Sequence, residues 1–207
     1  MNSAPHTTTS LVLRGGARAR GGGANPYAAR AKTSVRYADP MAWTLVLAVG
    51  EVLKSLGEDF RASADRCSLI HVGPEAPPEA MSSAAREALR GFASPIRFPA
   101  APPSAPTGLA CILHGLRGPT LALTLPVVEG AGIALSLSTA WLTRGVVDYA
   151  LIATAASVPG EAPRAACVVL SRGEGPLVDP ELLVQALLPE SHLVPGAEPR
   201  AVREVRP

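Results

Sequence analysis

Apolar positions along the 207-residue chain fall into two kinds of run, short unbroken ones and longer ones at helical spacing. The longest apolar region extends from Gly115 to Ala155. There Gly118-Pro119 makes a turn into the apolar run Thr120 to Leu125, and a glycine-bearing bend covers 126–132. An apolar helix starting near Glu129 and closed by Gly145 follows, and a second strand begins at Val147. Leu121 to Leu142 is 22 residues with one charge, Glu129, which is long enough to cross a bilayer. Pro126, Glu129, Gly130 and Gly132 interrupt it and no Lys/Arg cluster flanks it, so a buried strand, bend and helix is the better reading. Elements apolar on nearly all sides need cover on both faces, as in a layered α/β core.

The same reading extends over the rest of the chain. Ser10 to Leu13 is a short strand followed by a Gly/Arg loop. Asp39-Pro40 opens a helix whose apolar positions repeat from Ala42 to Leu56, and Gly57 ends it. Cys67 to Val72 is a second buried strand, and Glu79 to Arg90 is a helix stopped by Gly91. Phe92 to Pro106 is too proline-rich for regular structure, yet it carries two of the three phenylalanines, which predicts a packed loop. A helix is expected over Thr107 to Leu116, a strand over Ala165 to Leu170, and a short helix from Asp179-Pro180 to just before Pro189. The alternating order predicts a layered α/β domain with a mostly parallel sheet and a final hairpin at 147–171. Residues 1–38 read as a flexible basic arm with one short strand, 39–188 as the α/β domain and 189–207 as a disordered tail.

Composition supports a globular core, with 47% hydrophobic and 17% charged residues, and 21 Pro and 19 Gly demand many irregular segments. The net charge of +2 conceals an asymmetry: residues 1–40 carry +5 and the remainder −3. The tract Arg14 to Gly23 can grip phosphates, but no aromatic is interleaved before Tyr27, so a loop is preferred over nucleic-acid binding. Three cysteines, Cys67, Cys111 and Cys167, with no C-x-x-C spacing imply neither a zinc site nor a disulfide framework; core thiols in a reducing cytoplasm are expected. No signal peptide is indicated, and no metal or cofactor is implied.

Few side chains suggest chemistry. Glu129, at the bend, suits either an acid or base with burial-raised pKa or a first-turn carboxylate favoured by the helix dipole. Cys111 and His114, at i and i+3, suit either an activated thiol pair or a core thiol beside a surface imidazole. His71 ends a strand, where α/β sheets place ligands. Arg117 serves the turn, and Asp148 caps or pairs locally.

Several of these residues stand in a familiar order. Ser94-Pro95, Phe98-Pro99, then Gly115-Leu116-Arg117-Gly118-Pro119-Thr120, then Ala140-Trp141-Leu142, Gly145 and Asp148 resemble the N-terminal half of a β-ketoacyl synthase of the thiolase fold. The resemblance covers residues 65–171, and residues 10–64 in element order only. It implies one half of that duplicated fold, with the family's nucleophilic cysteine falling at Val127 or Val128, neither of which can attack a thioester. The second half, with its two catalytic histidines, has no counterpart after Ser171, where 36 residues carry His192 alone.

Condensation needs a thiolate at a helix N-terminus and imidazoles for the enolate. The resemblance therefore implies a non-catalytic subunit, chain-length-factor-like, paired with a ketosynthase in polyketide or fatty-acid biosynthesis, with acyl carrier protein as a further candidate partner. It also implies a partner interface along Gly118, Pro119, Thr120, Leu121, Leu123 and Leu125, and a pocket lined by Phe98, Pro126 and Glu129. Two alternatives stand beside it: a small acyl-thioester enzyme using Cys111 and His114 or Glu129, and a homodimer that binds an acyl or pantetheine ligand.

Overall fold

The computed structural model describes residues 10–31, 35, 37–57, 63–92, 94–174, 178–188 and 202–205. A six-stranded sheet runs through it: β1 (Ser10–Arg20), β2 (Cys67–Val72), β3 (Thr120–Leu123), β4 (Tyr149–Ala156), β5 (Arg164–Gly173) and β6 (Val202–Val205), in the order β3-β2-β4-β5-β1-β6. β3, β2 and β4 are mutually parallel, β5 is antiparallel to both β4 and β1, and β6 joins β1 in parallel. The mostly parallel α/β architecture and the β4–β5 hairpin match the reading from the sequence. β3, at one edge, pairs with β2 alone among the described residues.

Among the described residues the helices are α1 (Pro40–Leu56), α2 (Pro78–Leu89), α3 (Ala105–His114), α4 (Val127–Thr143) and α5 (Pro180–Leu187); α1 and α3 cover one face of the sheet, α4 and α5 the other, and α2 has no buried residue. Period-two alternation divides the strand side chains between the layers. Leu69, Leu151, Ala153, Cys167 and Val169 pack with α1 and α3; Ile70, Ala150, Ile152, Val168 and Leu170 pack with α4 and α5. Cover on both faces explains why all six β2 residues are buried. Among the described residues no helix is long and apolar enough to cross a membrane.

Asp39 fastens two helices with one carboxylate. Oδ1 accepts from the Met41 N–H at 2.8 Å, capping α1, while Oδ2 accepts from the N–H groups of Glu79 and Ala80 at 2.9 and 3.0 Å, capping α2. The α2 N-cap residue is Pro77, which has no side-chain acceptor to offer. Gly50, in the middle of α1, is required because the Tyr27 phenol occupies the space a Cβ would take.

Four local expectations change. The first strand continues through the expected Gly/Arg loop to Arg20, paired with β5 across a register shift between Leu13 and Gly15. Ala17 and Ala19 turn into the core, and Arg18 Nη2 donates to the Gln185 and Leu188 carbonyls at 3.0 and 3.2 Å, a cation at the C-terminus of α5. Within the expected disordered tail, 202–205 form β6, while 189–201 and His192 lie outside the described residues. α4 begins at Val127, so Gly130 and Gly132 lie inside the helix; at Gly130 a Cβ would strike Val72 Cγ1, the strand beneath. Finally, Phe92 and Phe98 are not packed: they are 59% and 57% exposed.

Candidate functional site

The β3–α4 junction is positioned by two close approaches. At Gly118 a side chain would collide with the Cys67 carbonyl, so only glycine lets the chain enter β3 alongside β2. The Pro119 carbonyl then accepts from the Leu69 N–H at 3.1 Å, and the Leu123 carbonyl accepts from the Gly73 N–H at 3.0 Å. Pro126 turns the chain, and Val127, Val128 and Glu129 form the first turn of α4, its N-terminus at the carboxyl end of a parallel strand. A nucleophile here would gain from the helix dipole. Val127 instead packs on the core beneath, and Val128 is 69% exposed.

Glu129 is exposed in the first turn of α4, the position of a dipole-favoured carboxylate rather than of a buried acid. Phe98, Pro126 and Glu129, expected to line a pocket, are all exposed; Pro126 and Glu129 share the start of α4, and Phe98 lies on a separate turn at Phe98–Ala100. Of the expected interface residues, Thr120 is exposed, and Gly118, Pro119, Leu121, Leu123 and Leu125 are half-buried along the sheet edge.

Cys111 and His114 share a helix and face different neighbours. Cys111 Sγ lies 3.5 Å from Thr120 Oγ1, and burial pushes its thiol pKa up against the weaker opposing effect of that hydrogen bond. His114 Nε2 lies 2.9 Å from the Val46 carbonyl and its ring meets Tyr27 edge-on with centroids 4.7 Å apart. Burial lowers the His114 pKa, with Arg30 and Lys54 acting the same way against the hydrogen bond to Val46. A protonated thiol bonded to a threonine and an imidazole bonded to the backbone of α1 do not form a nucleophile and base. Cys67 and Cys167 are buried free thiols, both pushed up by desolvation.

His71 is 1% exposed, and its Nε2 has no hydrogen-bond partner among the described residues. Burial lowers its pKa to about 4, so it is neutral near pH 7. Asp148 does not pair locally: Arg66 grips it through Nε and Nη2 at 2.8 and 2.9 Å and also donates to the Gly145 carbonyl. Arg117 stays at the turn, its N–H donating to the Ala64 carbonyl with Asp65 3.5 Å from its guanidinium. The sequence reading missed the second cap made by Asp39 and the anchoring role of Tyr27. A lone aromatic after a Gly/Arg tract, opposite a glycine in the middle of a helix, was the available signal for Tyr27.

No protein-family model matches the chain, and no curated protein matches it in sequence. Its likeness lies in structure. The ishigamide ketosynthase/chain length factor superposes with a TM-score of 0.55 at 15% identity, over 68% of this chain and 45% of that one. A chain of the type II polyketide synthase complex AntDE:AntF, an acyl-carrier protein with its ketosynthase, gives 0.62 at 15% identity over 79% and 63%. A chain of the ketosynthase ApeO in complex with its chain length factor ApeC, from Xenorhabdus doucetiae, gives 0.58 at 12% identity over 80% of both chains. The chain thus spans 45% and 63% of the first two chains and four-fifths of the third. It has the thiolase-type α/β fold of these ketosynthase structures, as the resemblance in its sequence implied.

Proposed function

We propose that this chain is a non-catalytic ketosynthase-like subunit that pairs with a ketosynthase-type protein in polyketide or fatty-acid biosynthesis. The observation that carries the reading is the pair Val127-Val128 at the N-terminus of α4, directly after β3, where condensing chemistry needs a thiolate. Neither valine bears a nucleophile, and the nearest helix thiol, Cys111, is protonated and bonded to Thr120. What the junction does offer is contact. Among the described residues β3 has a neighbour on one side only, and an unpaired apolar strand edge is a template for pairing with another chain. Beside it α4 presents Val128 and Ile133, 69% and 45% exposed. The similar structures of ketosynthases with chain length factors support a partner of that class.

Coexpression with the ketosynthase-type proteins encoded near it tests the proposal. A one-to-one complex on size exclusion is expected, lost on Ala122→Lys at the β3 edge or Ile133→Lys on α4. A chain that co-elutes with none of them overturns it.

A further inference from the structure

The segment from α2 to residue 98 is joined to the body by polar ties, while its apolar side chains face water. No α2 residue is buried. Asp39 holds its first turn, as described above. Glu87 gathers the following loop: its Oε2 accepts from the Ser94 N–H at 3.1 Å and its Oε1 from Arg97 Nη1 at 3.2 Å, and the Arg97 guanidinium stands 5.1 Å from the centre of the Tyr37 ring. Ala80, Ser83, Ala84 and Glu87, the half-buried positions, face inward. Outward, Met81, Ala85, Ala88 and Leu89 form one stripe at 3.6 residues per turn, and Phe92, Ile96 and Phe98, in the loop that follows the helix, are exposed as well.

Met81, Leu89, Phe92, Ile96 and Phe98 are 43%, 89%, 59%, 57% and 57% exposed. Taking about 200 Å² for a side chain of that size, they leave roughly 600 Å² of apolar surface in water, at the top of the range for the largest patch on a typical monomer. Two such patches face to face bury roughly 1,200 Å², the lower limit of a stable interface.

The charges select the occupant. Glu79 lies near the N-terminus of α2, Arg86 near its C-terminus and Arg90 just past it, all on one flank of the stripe. In a two-fold antiparallel pair of α2 helices each flank meets its own copy reversed, so Glu79 faces Arg90 of the second copy twice over. The same pairing sets Met81 against Ala88, and the small residues Ala85 and Ala88 on the stripe let the helices approach. The two helix dipoles also oppose each other head to tail. A parallel arrangement would instead set this charged flank against the opposite, uncharged flank of the second helix, and would align the two helix dipoles.

We infer that α2 is a self-association surface, pairing antiparallel with α2 of a second copy through Met81, Ala85, Leu89 and Phe92. The inference does not rest on the ketosynthase-partner reading, which uses β3 and α4 and leaves α2 free. Sedimentation equilibrium of the full chain over a wide micromolar range tests it, with circular dichroism to verify folding. A species of twice 21.2 kDa is expected. Leu89→Glu should give a monomer, Arg90→Glu should weaken the dimer about tenfold, and Glu79→Arg combined with Arg90→Glu should restore it. Ala122→Lys, at the β3 edge, should leave the dimer intact. A monomeric wild type, a dimer that survives Leu89→Glu, a charge swap that fails to rescue, or a dimer dissolved by Ala122→Lys overturns the inference.

Discussion

α1 and α4 are both 17 residues long and both strongly apolar, yet 11 residues of α1 are buried against five of α4. Their surroundings make the difference. α1 lies on the central strands with α3 beside it and Tyr27 across Gly50, so its apolar girth is enclosed. α4 has the sheet beneath and the eight-residue α5 beside it, and its outer side, including Val128 and Ile133, stays in water. A helix that is apolar all round is one meant for cover on all sides, and here α4 receives that cover on one side only. The contrast locates the least covered apolar helix face opposite α1 in the described layers.

The sharpest way to break this comparison is a substitution in the enclosed helix. Leu45→Ala, in the enclosed helix, empties a fully buried site and should cost about 3 kcal/mol in chemical denaturation, with an unchanged m-value. A cost below 1 kcal/mol would mean that α1 is not the sealed layer described above. His71 offers an effect of similar size on the same face of the sheet. Its folded pKa of about 4 lies below the ordinary 6.5 because burial disfavours the charged ring. The unfolded chain therefore takes up a proton first as pH falls, and stability present above pH 6.5 is lost between 6.5 and 4, by at most about 3 kcal/mol. His114 acts in the same direction, so the readout is the difference between wild type and His71→Leu, which should show a flatter acid limb. Parallel limbs would place His71 in contact with water. The smallest effect belongs to α4: Ile133→Lys should change the stability of the isolated chain by less than about 0.5 kcal/mol while abolishing partner binding. A large loss of stability would show that α4 is already covered.

The arm formed by α2 and the loop to residue 98 extends the lesson. Scarce phenylalanines in a proline-rich loop suggested packing, but Phe92 and Phe98 lie open, because hydrophobic content states only that a residue gains from cover. Where that cover comes from is a matter of geometry and of neighbouring molecules.

Local chemistry was legible in the sequence. Asp-Pro openings started α1 and α5, Gly57 closed α1, the unbroken run of β2 announced a strand covered on both faces, and Gly118-Pro119 marked the entry to β3. These signals act within a few residues, through dihedral preference, capping and side-chain alternation. The absence of a nucleophile at Val127-Val128 was legible too, since side-chain identity needs no coordinates. Long-range placement was decided by tertiary structure alone. Arg14 to Arg20 has loop composition, yet it forms a strand because β5 offers an edge and the α5 carbonyls take Arg18. Asp39 caps a second helix forty residues away, Tyr27 fits over Gly50, and Cys111 turns to Thr120 instead of His114. Each of these depends on which surfaces folding brings together, and pairing across the sheet overrides the weaker preferences of the segments that take part.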